Sequence, residues 1–160
     1  MIFICTGTQI FQFNRLLIEL DNLIENKLIT DEVFAQIGAS TYKPKYYDYK
    51  QYLSPDEYED KVNKSELIIT HGGTGAIVKG LKAKKQIIAI PRQAKFKEHE
   101  DDHQFQIVDF FADEGYILKL IDVNLLGEQI SKICEKPIDK IFKGQGNIIS
   151  LIENFLINKI

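Results

Sequence analysis

Apolar positions along the chain fall into two registers. Five short runs are apolar or β-branched at nearly every position: residues 2–6, 33–37, 67–70, 87–90 and 116–120. Between them lie longer stretches whose apolar residues recur every three or four positions, such as Phe13, Leu16, Leu17, Leu20, Leu23 and Ile24, or Phe105, Val108, Phe111 and Ala112. The first pattern predicts buried strands and the second amphipathic helices. Ser54-Pro55-Asp56-Glu57 reads as an N-cap, a proline at the first helical position and first-turn acids, so a helix is expected from there to about residue 64. Residues 46–53 form a weaker, aromatic-rich extended segment. Gly38, Pro91 and Gly115 each close an element. Two amphipathic helices are expected to finish the chain, the last over residues 147–157.

Strands without polar alternation need cover on both faces, which a parallel sheet with crossover helices provides. Right-handed crossovers then give an α/β fold: one Rossmann-like, doubly wound parallel sheet with helices on both faces. A length of 160 residues fits one domain spanning 1–160, with residues 122–160 as C-terminal helices available to dock on a partner. Hydrophobic residues make up 44% and charged residues 27%, which excludes disordered and fibrous classes. A net charge of −3 argues against nucleic acid as a partner. Cys5 and Cys134 stand too far apart in sequence to suggest a disulfide framework, and a reducing compartment suits them. The opening residues carry no basic leader, and no apolar run approaches the roughly 18 residues of a membrane span. The expected setting is therefore cytoplasmic, with any membrane attachment supplied by another chain.

In an open parallel sheet, ligands bind beyond the carboxyl ends of the strands. Three polar turns belong at that edge: Gly7-Thr8-Gln9, His71-Gly72-Gly73-Thr74-Gly75, and the stretch from Arg92 to Gln104. The second sets three glycines ahead of a helix N-terminus, where free N–H groups and a partial positive charge suit a phosphate or diphosphate. It is neither a dinucleotide fingerprint nor a P-loop, because Val78 stands where a third glycine belongs and Lys79 is followed by Gly80. Arg92 adds a guanidinium fork suited to phosphates. Glu98, His99, Asp101, His103 and Gln104 gather acceptors and donors of the kind that hydroxyl-rich ligands need. His99-Glu100-Asp101-Asp102-His103 also matches H-E-x-x-H, a zinc hydrolase pattern that requires both histidines on one helix. The apolar helical period starts only at Phe105, with Asp101 or Asp102 as the expected N-cap. That leaves His99 in the loop, off the face shared with His103, and no metal is expected. Tyr42, Tyr46, Tyr47, Tyr49 and Tyr52 suit base stacking, a partner, or packing under a loop.

Three ordered motifs carry a resemblance: residues 2–9 with Phe13-Asn14-Arg15-Leu16, then Thr70-His71-Gly72-Gly73-Thr74-Gly75, then Pro91-Arg92 through Glu98-His99-x-Asp101-Asp102-His103-Gln104. The sequence resembles the C-terminal-domain type of glycosyltransferase family 28. That family includes the soluble subunit of the dolichol-linked UDP-GlcNAc transferase and subunits of bacterial capsule and exopolysaccharide synthesis. The resemblance implies the donor-binding half of a GT-B enzyme that moves a sugar from a UDP-sugar to a lipid-linked saccharide acceptor, with inversion and without a metal or other cofactor. The acceptor-binding half is then a separate membrane-anchored subunit that holds this chain at the inner face of the membrane. A homodimer in isolation is an alternative state.

Carried over by position, Gly7, Thr8, Gln9 and His71 to Gly75 face the diphosphate. Backbone at Tyr52 and Leu53 reads the uracil. Glu98, Asp101, His103 and Gln104 hold ribose and sugar hydroxyls. Glu98 or His99 is the in-chain candidate for general base, the partner being the other source. Loss of His71 or Glu98 is expected to abolish transfer with the fold intact. Lys79 departs from the family pattern, which has a ribose-binding Glu at this point. Two competing readings are a non-catalytic subunit that enhances a partner transferase and, remotely, the zinc hydrolase through His99-Glu100-x-x-His103.

Overall fold

The computed structural model describes residues 1–144 and residue 150. Its strands are β1 (Ile2–Cys5), β2 (Val33–Gln36), β3 (Asp48–Lys50), β4 (Leu67–His71), β5 (Gln86–Ile90) and β6 (Leu118–Lys119). The helices are α1 (Asn14–Glu25), α2 (Pro55–Lys64), α3 (Thr74–Lys82), α4 (Gln104–Asp113) and α5 (Leu126–Glu135). All six strands pair in parallel, in the order β3-β2-β1-β4-β5-β6. The expected doubly wound α/β sheet is the fold observed. The last expected helix, over residues 147–157, lies outside the described residues.

Strand composition explains the two layers. Ile2, Ile4, Ile69, Ile88 and Ile90 point into a core closed by α1 and α5 through Leu16, Leu17, Leu20, Ile130 and Ile133. Phe3, Cys5, Ile68, Ile87 and Ala89 point the other way, against Val62, Ile77, Leu81, Val108 and Phe111 of α2, α3 and α4. Successive strand residues thus enter opposite cores, which is why the strands read as unbroken apolar runs. At the sheet edges only one neighbour is available, and β3 and β6 shrink to three and two residues.

Helix α2 starts as its residues dictate. Ser54 Oγ accepts from the Glu57 N–H at 3.2 Å, and the Glu57 carboxylate accepts from the Ser54 N–H at 2.8 Å. This reciprocal capping box fixes where the chain leaves β3 and turns back over the sheet. The Lys50 ammonium and these cap bonds hold the exposed Glu57 carboxyl down at a pKa of about 2.

The strand order reverses between β1 and β4. The chain runs from β1 outward to β3, returns to place β4 beside β1, then continues outward the other way. The turns after β1 and β4 therefore diverge and leave a crevice at their carboxyl ends.

Candidate functional site

The crevice at this switch point encloses about 540 Å³, within the range of small-molecule sites. Gly7, Thr8 and Gln9 line it from the β1 turn; His71, Gly73, Thr74 and Gly75 from the β4 turn; His99, His103 and Gln104 from the loop before α4. Three turns far apart in sequence meet on one rim, as the strand-end argument requires. A second hollow of similar volume runs along β3 and α2, but neither glycine turn nor helix N-terminus opens into it.

Helix α3 begins at the floor of the crevice. Gly73 occupies its N-cap and has no side chain to satisfy the first-turn N–H groups, and no acid lies in that turn. These donors sit among crevice-lining residues Thr74, Gly75 and Ala76, with the positive end of the helix dipole behind them. Lys79, one turn further along α3, also lines the crevice and stands 5.0 Å from the Tyr58 ring centre. The position that departs from the family pattern thus adds a cation to the site.

The glycines are required by contact. A Cβ on Gly73 would fall 2.3 Å from His71 Nε2, and one on Gly7 would fall 2.8 Å from the same atom. Gly7 also adopts φ +85°, open to few other residues. The imidazole is therefore gripped between two backbone turns. Its Nδ1 lies 3.3 Å from the Cys5 carbonyl, which only accepts, so the ring proton belongs on Nδ1 and Nε2 carries the lone pair. Burial, reinforced by the charge of Arg92, pushes the His71 pKa down to about 3, so the ring is neutral. An unfolded chain releases that histidine to titrate near 6.5, and it takes up a proton before the folded chain does. This contribution to stability is present above about pH 6.5 and declines as pH falls toward 3. Between pH 6.5 and 5 the loss is about 1.5 kcal/mol. Thermal melts over that interval should fall more steeply for wild type than for His71→Asn, and equal slopes would assign the titration elsewhere.

Several expected site residues stand elsewhere. Glu98 is buried, 1% exposed, with both oxygens occupied: Arg15 Nε donates at 2.5 Å, Arg15 Nη2 at 3.1 Å and the Gln93 N–H at 3.0 Å. It does not line the crevice, and the carboxylate expected to hold hydroxyls or take a proton instead pins the loop after β5. Arg92 is likewise fully buried; its Nη2 donates to the carbonyls of Thr6 and Phe11, while Nε and Nη1 have no partner among the described residues. Its charge acts from beneath the floor, not as a fork on a phosphate. Gln104 lines the crevice, yet its Oε1 accepts from Gly72 N–H at 3.2 Å and Arg92 N–H at 3.0 Å, tying β4 and β5 to α4. Gly72 is buried against it, its missing Cβ 2.7 Å from that of Gln104. Leu53 lines the crevice, but its N–H is donated to Gln36 Oε1, and Tyr52 is not among the lining residues.

The loop before α4 differs from its expected form in two ways. Its N-cap is His103 in helical geometry, without a side-chain cap bond. Asp101 Oδ1 accepts from the His103 N–H at 3.0 Å, and Asp102 Oδ1 from the Ala94 N–H at 2.9 Å. His99 is in the loop as expected, but the loop folds back so that the two imidazoles meet edge-to-face at 4.7 Å. The helical spacing of an H-E-x-x-H zinc site is absent because α4 begins only after His103.

Gln36, Tyr58 and Cys5 also line the crevice and were not among the expected residues. Burial raises the Cys5 thiol, with Tyr58 Oη 3.4 Å from its sulfur, so it is an apolar wall and no nucleophile. Both cysteines are free. Among the described residues, no helix is long and apolar enough to cross a membrane.

The sheet order and the crevice at its switch point are those of the C-terminal half of a GT-B glycosyltransferase. The chain belongs to glycosyltransferase family 28, matching the family's C-terminal domain over residues 1–147. No curated protein sequence matches it. Among solved structures it resembles MurG of Acinetobacter baumannii, with TM-score 0.65 and 17% identity over 99% of this chain and 49% of that one. It also resembles a glycotransferase of kitacinnamycin, with TM-score 0.64 and 13% identity over 85% of this chain and 35% of that one. The chain thus spans half or less of the length of these two enzymes. A third similar structure, ALG13, is matched over 95% of its own length and 99% of this chain, at TM-score 0.56 and 17% identity.

Proposed function

We propose that this chain is the donor-binding half of a two-component, inverting glycosyltransferase that moves a sugar from a UDP-sugar to a lipid-linked acceptor in polysaccharide synthesis. The uncapped N-terminus of α3, opening into the crevice at the switch point, carries this reading. Its N–H groups, with Lys79 at the rim, suit the diphosphate, while Thr8, His99 and His103 offer polar groups to hydroxyls. Inverting transfer needs stabilisation of departing UDP and a base for the acceptor hydroxyl. The first falls to the α3 N–H groups and Lys79, set against the positive potential of buried Arg92. With Glu98 held by Arg15, the base falls to His99 or to the acceptor-binding half. A membrane-anchored partner would supply that half and hold the chain at the inner face of the membrane; the match to ALG13 across nearly its whole length supports a donor half that exists as a separate polypeptide.

Calorimetric titration of the isolated chain with uridine diphosphate tests the reading. Saturable one-to-one binding without turnover is the expected result. Failure to bind at millimolar nucleotide would favour the non-catalytic enhancer, which needs no donor site.

A further inference from the structure

The loop between β5 and α4 brings together a group of side chains that the transfer chemistry does not require. One ligand atom from each of His99, Asp101 and His103 falls within 4.8 Å of the others. Asp101 Oδ1 stands 3.4 Å from His99 Nδ1 and is in hydrogen-bond contact with His103 Nδ1. Ligands placed 2.0–2.1 Å from a tetrahedral zinc ion lie roughly 3.3 Å apart, so the His99 to Asp101 separation already matches a coordination edge.

The three residues divide the work of a site. His99 is the anchor: its side chain is 9% exposed, its ring rests 4.9 Å from that of Phe11, and its Nε2 is buried without a partner among the described residues. A buried ring nitrogen that the chain leaves unsatisfied points to a missing ligand. Asp101 and His103 are 63% and 43% exposed and free to adjust around an incoming ion. Their mutual hydrogen bond lowers the Asp101 pKa, keeping the carboxylate in the form that ligates.

We propose that His99, Asp101 and His103 bind a divalent transition-metal ion, zinc by its donor set of two imidazoles and a carboxylate, at the mouth of the crevice. Three protein ligands leave a fourth position for water or a ligand atom. The set differs from H-E-x-x-H, since Asp101 replaces one helical turn and exposed Glu100 takes no part. Because His99 and His103 also line the crevice, an ion there withdraws both imidazoles from the hydroxyls of a bound sugar. Its role is control of access at the sugar end, and it is no catalyst of the proposed transfer.

The test is calorimetric titration of zinc chloride into the chelator-treated full chain carrying Cys134→Ser, which removes an exposed competing thiol. One equivalent should bind. His103→Ala and Asp101→Asn, both at exposed positions, should each weaken binding by more than about tenfold, the lower end of what outer-shell changes cost a metal site. Glu100→Gln should bind as the parent does. Absence of saturable binding, or one equivalent held equally well by His103→Ala and Asp101→Asn, overturns the site, as does loss confined to Glu100→Gln. Uridine diphosphate titrated into the same preparations reads the nucleotide proposal separately, so either proposal can fail alone.

Discussion

Glu98→Ala should lower the melting temperature by about 6–12 °C, an effect on the fold itself. Removing one partner of a buried ion pair leaves the other charge uncompensated and costs about 3–5 kcal/mol. Arg15 retains 17% exposure, so the lower end applies. At 2–4 °C per kcal/mol for a domain of this size, about 3 kcal/mol gives that shift. The loss is local as well as global, because the Gln93 N–H and the start of the crevice loop depend on the same carboxylate. Arg15→Ala strands a more deeply buried charge and should melt at least as low. Pairing Arg15→Met with Glu98→Leu should recover much of the difference, since an apolar pair avoids the desolvation of both ions. Circular-dichroism melts of the four proteins decide the matter. A Glu98→Ala protein that melts within about 2 °C of wild type yet supports no transfer would restore the carboxylate to the chemistry.

Gly73→Ala should abolish binding of uridine diphosphate, with a drop of at least about 100-fold corresponding to some 3 kcal/mol. The backbone there, at φ −79° and ψ 125°, suits alanine, so conformational strain is not the cause. The added methyl would meet His71 Nε2 at 2.3 Å, and Gly7 blocks the ring's retreat on the other side. Either the imidazole or the first turn of α3 must move, and the N–H groups move with it. Gly75→Ala is the informative companion: nothing lies within 4 Å of its Cβ position. Alanine gains up to about 1 kcal/mol over glycine inside a helix, so this variant should melt no lower than wild type. Its methyl nonetheless projects from a residue that lines the crevice, and its affinity for uridine diphosphate should fall. Normal nucleotide affinity in both variants would remove the α3 N-terminus from the site.

The helix and strand pattern was legible because it obeys local rules. Apolar runs such as Ile2-Phe3-Ile4-Cys5 need cover on both faces, and Ser54 with Glu57 carries its own start signal. The meeting of the three turns was legible as well, since strand polarity in a parallel sheet sends every such turn to one edge. Strand lengths at β3 and β6 were less so, because pairing ends where the neighbouring strand ends.

Individual roles inside the crevice were decided only by the tertiary structure. Polar residue type and spacing made Glu98, Arg92 and Gln104 equal candidates with Thr8 or His103, yet burial turned the first three toward the chain itself. Arg15, 83 positions away in sequence, claims Glu98. The Gly72 and Arg92 N–H groups claim Gln104 Oε1. Conversely, a loop turn that no periodicity encodes brought His99 onto His103. Local sequence thus determined which backbone elements form and which edge they present. Which polar atoms remain free for a ligand depended on partners distant along the chain, because a buried donor or acceptor takes whatever complementary group the packed fold places beside it.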